Sequence, residues 1–449
     1  MSSLNDLPDE LLLEILHFLE AIRSFETQFT AFKRKQIERE RQHENCVRER
    51  ALYSLCLTSR RMRALSIPTL YASSCTSATR NGLRQLQLLH RTISAPHNAL
   101  GQTKPLAEHI LYAENRLADF RGNSLQNDEV FLQESFATYS RLLGDLVLKA
   151  HNIEHICVVS IDDFADDVSF WGHLLSKSPY AAQNGFTKLK FLSTQLHTSF
   201  DQDTSRQSTF ERMITRLRLL PKFYTLQVLG ATSNTWSLLT LRPNDMLRVR
   251  RLELTECTLE MEEVSSLLLA CNNLQHFTCK WSHVPGMISG PSELHAALLA
   301  HTNNLETLVL DWREVAWQFM VFHDEALLLG SLRSMKLLRN LQLCEVGFLT
   351  DDLSLVPDYP FQGARFSLAG LLPASLECLT LYPVEAIEYS IADLVHRAPL
   401  LWHFSSELGM LLPLLKTLCI VMKPGNLPCE RLEREFESAG VELRIEFQT

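Results

Sequence analysis

Apolar positions fall into two kinds of pattern along this chain, and the change between them comes near residue 106. Residues 4–20, LNDLPDELLLEILHFLE, predict a helix. Asp6 can cap it, Pro8 suits the first helical position, and Asp9 and Glu10 favour the positive end of its dipole. Leu11, Leu12, Leu13, Ile15, Leu16, Phe18 and Leu19 cover more than one face. Such a helix needs cover on several sides, from its own chain or from another protein. The stretch 25–51 then mixes Lys and Arg with Glu and carries no apolar stripe, which predicts a solvated helix or a mobile loop.

Periodicity resumes in ALYSLCLTSRRMRALSIPTLYAS (51–73). Leu52, Leu55 and Cys56 fall at helical spacing, Thr58 or Ser59 can cap a short helix through Met62 and Leu65, and Pro68 stops it. Two apolar helical segments with a charged insert at about 21–50 therefore form one module, 1–72. RNGLRQLQLLHRTI (80–93) predicts a further helix inside a linker, 73–105.

From 106 to 449 the period changes. LLLACNNLQHFTCKW (267–281) recurs as ALLAHTNNLETLVLDW (297–312): a leucine-rich helical end, Asn-Asn, a leucine, then strand-like alternation ending in tryptophan. The core of the unit is L-x-x-L-x-L. Clear copies are Val249/Leu252/Leu254, Leu274/Phe277/Cys279, Leu305/Leu308/Leu310, Leu338/Leu341/Leu343, Leu376/Leu379/Leu381 and Leu415/Leu418/Ile420. Weaker ones are Ile153/Ile156/Val158, Leu189/Leu192 and Phe223/Leu226/Val228. One strand and one helix cannot bury their apolar sides alone, whereas stacked neighbours build a continuous core. The fold class is thus α/β: a short helical module followed by an irregular leucine-rich-repeat solenoid, with parallel strands on the concave face and helices on the convex face. A globular α/β domain is the alternative with the same local patterns. The tail ERLEREFESAGVELRIEFQT reads as a helix, a Gly440 stop and a last strand.

Composition narrows the function. A hydrophobic fraction of 46% with 21% charged residues belongs to a folded protein. A net charge of −9 disfavours nucleic acid and anionic membranes as partners, and the acids within FKRKQIERER dilute that basic run. No run suits a membrane span, and acids interrupt any signal-peptide pattern at the start. Eleven cysteines without close pairs point to reduced thiols, hence a cytoplasmic or nuclear setting.

Motifs for phosphate binding, nucleophilic catalysis and metalloprotease chemistry are missing. Cys271, His276 and Cys279 lack zinc-site spacing, and IDDFADD (161–167) lacks the alternate ligands and glycine of a calcium loop. No catalytic residue, metal or cofactor is expected. Exposed positions beside the repeated leucines are the candidate substrate contacts: Glu253, Thr255, His276, Lys280, Glu306 and Asp311. Trp281 and Trp312 end neighbouring strands and suggest either an aromatic patch or partly buried packing.

Leu7-Pro8, Glu10-Leu11-Leu12, Ile15-Leu16 and Leu19, followed by Leu55, Ser59-Arg60-Arg61, Leu65 and Pro68…Leu70-Tyr71, resemble the F-box of fungal F-box proteins. A leucine-rich array behind such a module is the arrangement of one large F-box class. The resemblance implies a three-helix module that docks on the Skp-type adaptor of a cullin-RING ubiquitin ligase, and an array that holds an unknown protein substrate. By residue, it implies adaptor contacts at Leu7, Pro8, Leu11, Leu12, Ile15, Leu16, Leu55 and Leu65. Leu13, Phe18, Leu52 and Met62 read instead as the module's interior, and any of the named leucines can serve both faces. The chain departs from the family in the roughly thirty residues between Leu19 and Ala51, which must loop out for the module to close.

Overall fold

The computed structural model describes residues 7–24, 35–77, 80–95, 105–116, 125–159, 170–176, 186–196, 207–218, 220, 222–235, 237–246, 248–282, 289–315, 329–344, 368–382, 404–422 and 429–447. Asp6 and the 161–167 acidic run lie outside them. The chain divides into two compact units, Met1–Gly230 and Ala231–Thr449.

The first unit opens with helices α1 (Asp9–His17), α2 (Lys35–Thr58) and α3 (Arg60–Tyr71). Strands β1 (Ser73–Ser77), β2 (Tyr112–Arg116), β3 (His155–Val159), β4 (Phe191–Gln195) and β5 (Thr225–Leu229) then alternate with α4 (Arg80–Ser94), α5 (Leu125–Lys149), α6 (Phe170–Ser176) and α7 (Thr209–Leu217). The strands pair in chain order and in parallel, Ser73 opposite Tyr112, then His155, Phe191 and Thr225. Parallel neighbours need a crossover, which the helices supply.

The sheet therefore starts at Ser73, inside the stretch expected to be a helical linker (73–105), although α4 falls where that helix was expected. The leucine pattern misses β1 and β2 because SSCTS and YAENR are held by polar partners. The Thr76 and Tyr139 hydroxyls lie 2.6 Å apart, and Asn115 Nδ2 donates to the Val159 carbonyl at 2.8 Å. Gly82 explains how closely α4 approaches: a Cβ there would stand 1.9 Å from the Ser77 carbonyl oxygen. Only glycine fits.

The second unit runs β6 (Arg251–Cys257), α8 (Met261–Ala270), β7 (His276–Trp281), α9 (Ser292–Leu299), β8 (Thr307–Asp311), β9 (Asn340–Cys344), α10 (Leu368–Leu371), β10 (Cys378–Tyr382), a helical stretch at 404–411, β11 (Thr417–Met422), α11 (Cys429–Ser438) and β12 (Glu442–Phe447). Again the pairing is parallel and sequential. Leu252, Phe277, Leu308, Leu341, Leu379 and Leu418 form one buried rung across six strands. The alternation read as L-x-x-L-x-L is thus a stack of leucine rungs, the mark of a solenoid-like α/β fold.

The repeated Asn-Asn has a structural role, because Asn304 Nδ2 donates to the Asn272 carbonyl of the preceding repeat at 3.0 Å. One irregularity interrupts the ladder. The β6–β7 register shifts between Leu254 and Cys257, where Glu256 takes a left-handed φ of 47°. Trp281 and Trp312 are both buried, with ring centroids 6.1 Å apart, so they are packing and not a surface patch. Among the described residues no helix is long and apolar enough to cross a membrane.

Candidate docking surface

Helix α1 shows two faces. Leu12 and Leu16, one turn apart, are each 1% exposed and belong to the chain's own interior. Leu11, Ile15 and Phe18 are 51%, 40% and 73% exposed. Their i, i+4, i+7 spacing lines them up as one apolar stripe facing out. This redraws the expected assignment: Leu12 and Leu16, expected as adaptor contacts, are interior, and Leu13 and Phe18, expected as interior, are exposed. The reason is that, among the described residues, α1 is seated mainly on α3, which meets the side carrying Leu12 and Leu16. Leu52 and Met62 are buried as expected; Leu7, Leu55 and Leu65 are half-buried and Pro8 is exposed.

Two residues of the Ser59-Arg60-Arg61 run set the geometry. Ser59 Oγ accepts from the Met62 N–H at 3.1 Å and caps α3. The Arg61 guanidinium donates to Asp9 Oδ1, at 2.8 Å from Nε, and to the Leu7 carbonyl at 2.7 Å. It thereby fixes the start of α1, where Pro8 occupies the cap position without a side-chain cap bond. Asp9 also lies at the positive end of that helix.

The described part of the charged insert after residue 34 is helix and not loop. From Lys35 it is the first part of α2, and Arg41 ties it to Glu114 of β2. Arg41 bonds Glu114 of β2 from both terminal nitrogens (2.5 and 3.2 Å), Glu38 (2.6 and 2.8 Å) and the Ile22 carbonyl (2.6 Å). Asn45 pairs with both backbone groups of Ile22, at 2.8 and 3.0 Å, and Arg48 donates to the Glu20 carbonyl at 2.8 Å. Tyr112 donates its hydroxyl to Glu114 (2.6 Å) and accepts from the Ser24 N–H (3.0 Å). Glu114 is 0% exposed, so its charge is tolerable only with these partners. None of Arg41, Asn45, Tyr112 and Glu114 stood out from the sequence. The one available signal was a lone carboxylate in the middle of YAENR, opposite an insert rich in arginine.

Beside this network His155 packs between the rings of Tyr112 (4.7 Å) and Phe191 (4.0 Å). Burial first, then the Arg23 and Arg41 charges, lower its pKa to about 3, while Glu114 pulls the other way. A histidine whose folded pKa lies below its unfolded value stabilises the fold fully above about pH 6.5, and that stability is lost as pH falls toward 3. Unfolding free energy measured at pH 7 and pH 5 should therefore fall by about 2 kcal/mol from His155 alone. The His155→Phe variant should remove that part of the slope. An unchanged slope would mean that the ring does not titrate as the burial requires.

In the second unit the strand face opposite the leucine rung is half-buried on β6 and β7 and closes on β8, where Val309 and Asp311 are buried. It carries Glu253, His276 and Lys280 on β6 and β7. Glu253 is paired with Arg251, and Lys280 stands opposite Asp311 in register. Burial and then Arg251 lower the pKa of His276. Asp311 differs from its expectation as an exposed contact: it is buried and grips Arg313 Nε and Nη2 at 2.9 and 2.7 Å. Burial raises that carboxyl's pKa and Arg313 more than offsets it, leaving it below its usual value. The Arg313 guanidinium lies 4.3 Å over the Tyr382 ring, whose hydroxyl donates to Gln342 at 2.9 Å. Thr255 follows the outward alternation of Glu253 and is half-buried beside the β6 irregularity, whereas Glu306 precedes β8 on the strand-entry edge, outside the strand-face row.

Among the described residues no group of three or more His, Cys, Asp or Glu is placed to hold a metal ion. Cys271, once a ligand candidate, is buried, and burial pushes its thiol up to about 12. No family model matches the chain, and no curated protein matches its sequence.

Proposed function

We propose that the protein is the substrate-recognition subunit of an SCF-type cullin-RING ubiquitin ligase, with α1–α3 an F-box-like module and the strands a leucine-rich array. The observation that supports this reading is the outward stripe of Leu11, Ile15 and Phe18, on a helix whose interior side is already filled by Leu12 and Leu16. Contiguous apolar anchors of this kind suit a helix-packing partner. The module recruits the ligase through a Skp-type adaptor, and the array presents a protein substrate. The chain supplies proximity, an effective-concentration role, and not bond-making groups.

A second reading, a scaffold whose helices merely cap the sheet, draws support from the seating of α2 on β2. It leaves the stripe without a purpose. Co-expression with a Skp-type adaptor separates the two: the proposal expects a one-to-one complex on gel filtration. A well-folded chain that elutes alone would favour the scaffold.

A further inference from the structure

The insert between the helices of the module is the part of the chain with no counterpart in the resemblance, and its contacts are unlike those of a tolerated loop. It meets β2 through a carboxylate that is 0% exposed, a guanidinium whose side chain is 11% exposed, and a tyrosine that is 0% exposed. Those three groups gather four chain segments: Ile22 and Ser24 after α1, Glu38 and Arg41 of α2, Cys75 of β1, and Tyr112 and Glu114 of β2. Cys75 Sγ adds the weakest contact, 3.6 Å from Glu114.

We propose that Arg41 and Glu114 form a lock that makes the helical module and the first strands a single cooperative body, so that the module has no folded state apart from the sheet. Three features carry this. First, α2 is one continuous helix from Lys35 to Thr58, with the lock in its second turn and Leu52, which packs the module, further along the same rod. A change at Arg41 therefore reaches the module without crossing a loop. Second, the chain leaving α1 is tied to α2 by the Asn45 and Arg48 side chains, which bond the backbone of Ile22 and Glu20, so the stripe-bearing helix is held by the same rod. Third, a buried ion pair is all-or-none: removing one partner strands the other charge in the interior. Intermediate arrangements, with the insert half-seated, are excluded by that penalty.

Coupling follows from this connection. Anything that holds α1 rigid also protects β1 and β2, and loosening Glu114 loosens α1. The inference does not rest on the ligase reading, since it concerns the free chain. Hydrogen–deuterium exchange on the full-length protein tests it, comparing wild type with Arg41→Met. The lock predicts that exchange rises together, on the order of tenfold or more, in 7–24, 35–58 and 112–116. The double variant Arg41→Met/Glu114→Leu, which removes both charges, should restore much of the protection, because apolar replacement of a buried pair is often neutral.

Faster exchange confined to 35–48 would overturn the proposal, because the insert would then be an independently detachable segment. Should Arg41→Met unfold outright, recovery of a folded chain in the double variant supports the lock. Failure of both variants to fold alike would overturn it, since the defect would not depend on a stranded charge.

Discussion

Glutamate at both Ile15 and Phe18 should abolish capture of a Skp-type adaptor while the melting temperature stays at its wild-type value. Both side chains are substantially exposed, and surface substitutions of that kind shift stability by only about 0.5 kcal/mol. In an interface the same positions become central anchors, where loss of one commonly removes about 2 kcal/mol or more, roughly thirtyfold in affinity. Two losses with added charge take binding toward a thousandfold weaker. Leu12→Ala serves as the contrasting case. It empties an interior position and should lower stability by about 2–5 kcal/mol, so any loss of capture would track unfolding. Wild-type capture by the Ile15→Glu/Phe18→Glu chain would remove the stripe as the docking face.

The second large effect lies in the sheet. Phe277→Ala should lower the unfolding free energy by about 3–5 kcal/mol, read as a shift in denaturant midpoint at unchanged slope. Phe277 is 0% exposed and stands between Leu252 and Leu308 in the buried rung, so its removal opens a cavity bounded on both sides by other rung residues. Lys280→Ala, on the same strand but on the other face, should stay within about 0.5 kcal/mol. Equal effects at the two positions would contradict the division of β7 into a packed face and a half-buried one.

Much of this architecture was legible because leucine at period two is a signal that only burial explains. Ile156, Leu192 and Leu226 in the first unit, and Leu252 through Leu418 in the second, sit on the strands where the pattern put them. What escaped was held by polar chemistry. SSCTS and YAENR carry no apolar rhythm, and their place in the sheet depends on partners far away in sequence, such as Arg41 for Glu114 and Tyr139 for Thr76. The same limit applied to α1. Seven apolar residues announce a helix that needs cover, but which of them face inward is decided by the side α3 approaches. Asp311 illustrates the point again: alternation placed it on the face opposite the leucines, and only the neighbouring Arg313 shows that its carboxylate is already engaged.

The ladder of rungs also acts as a ruler that is blind to what lies between its marks. Equivalent strand positions are 25 residues apart from Thr417 to Glu442 and 39 apart from Cys378 to Thr417, and both pairs meet in the same rung. Extra length therefore enters as connection, and the register holds from strand to strand apart from the shift between Leu254 and Cys257. Lengthening a connection is inexpensive, about 0.6 kcal/mol for each doubling of a flexible segment. A slip of one residue would instead turn a whole row of leucines to the wrong face. Selection on such a chain can thus lengthen, shorten and rewrite the crossings almost freely while a handful of leucines stays put, which makes a repeat array erode in sequence long before it erodes in shape.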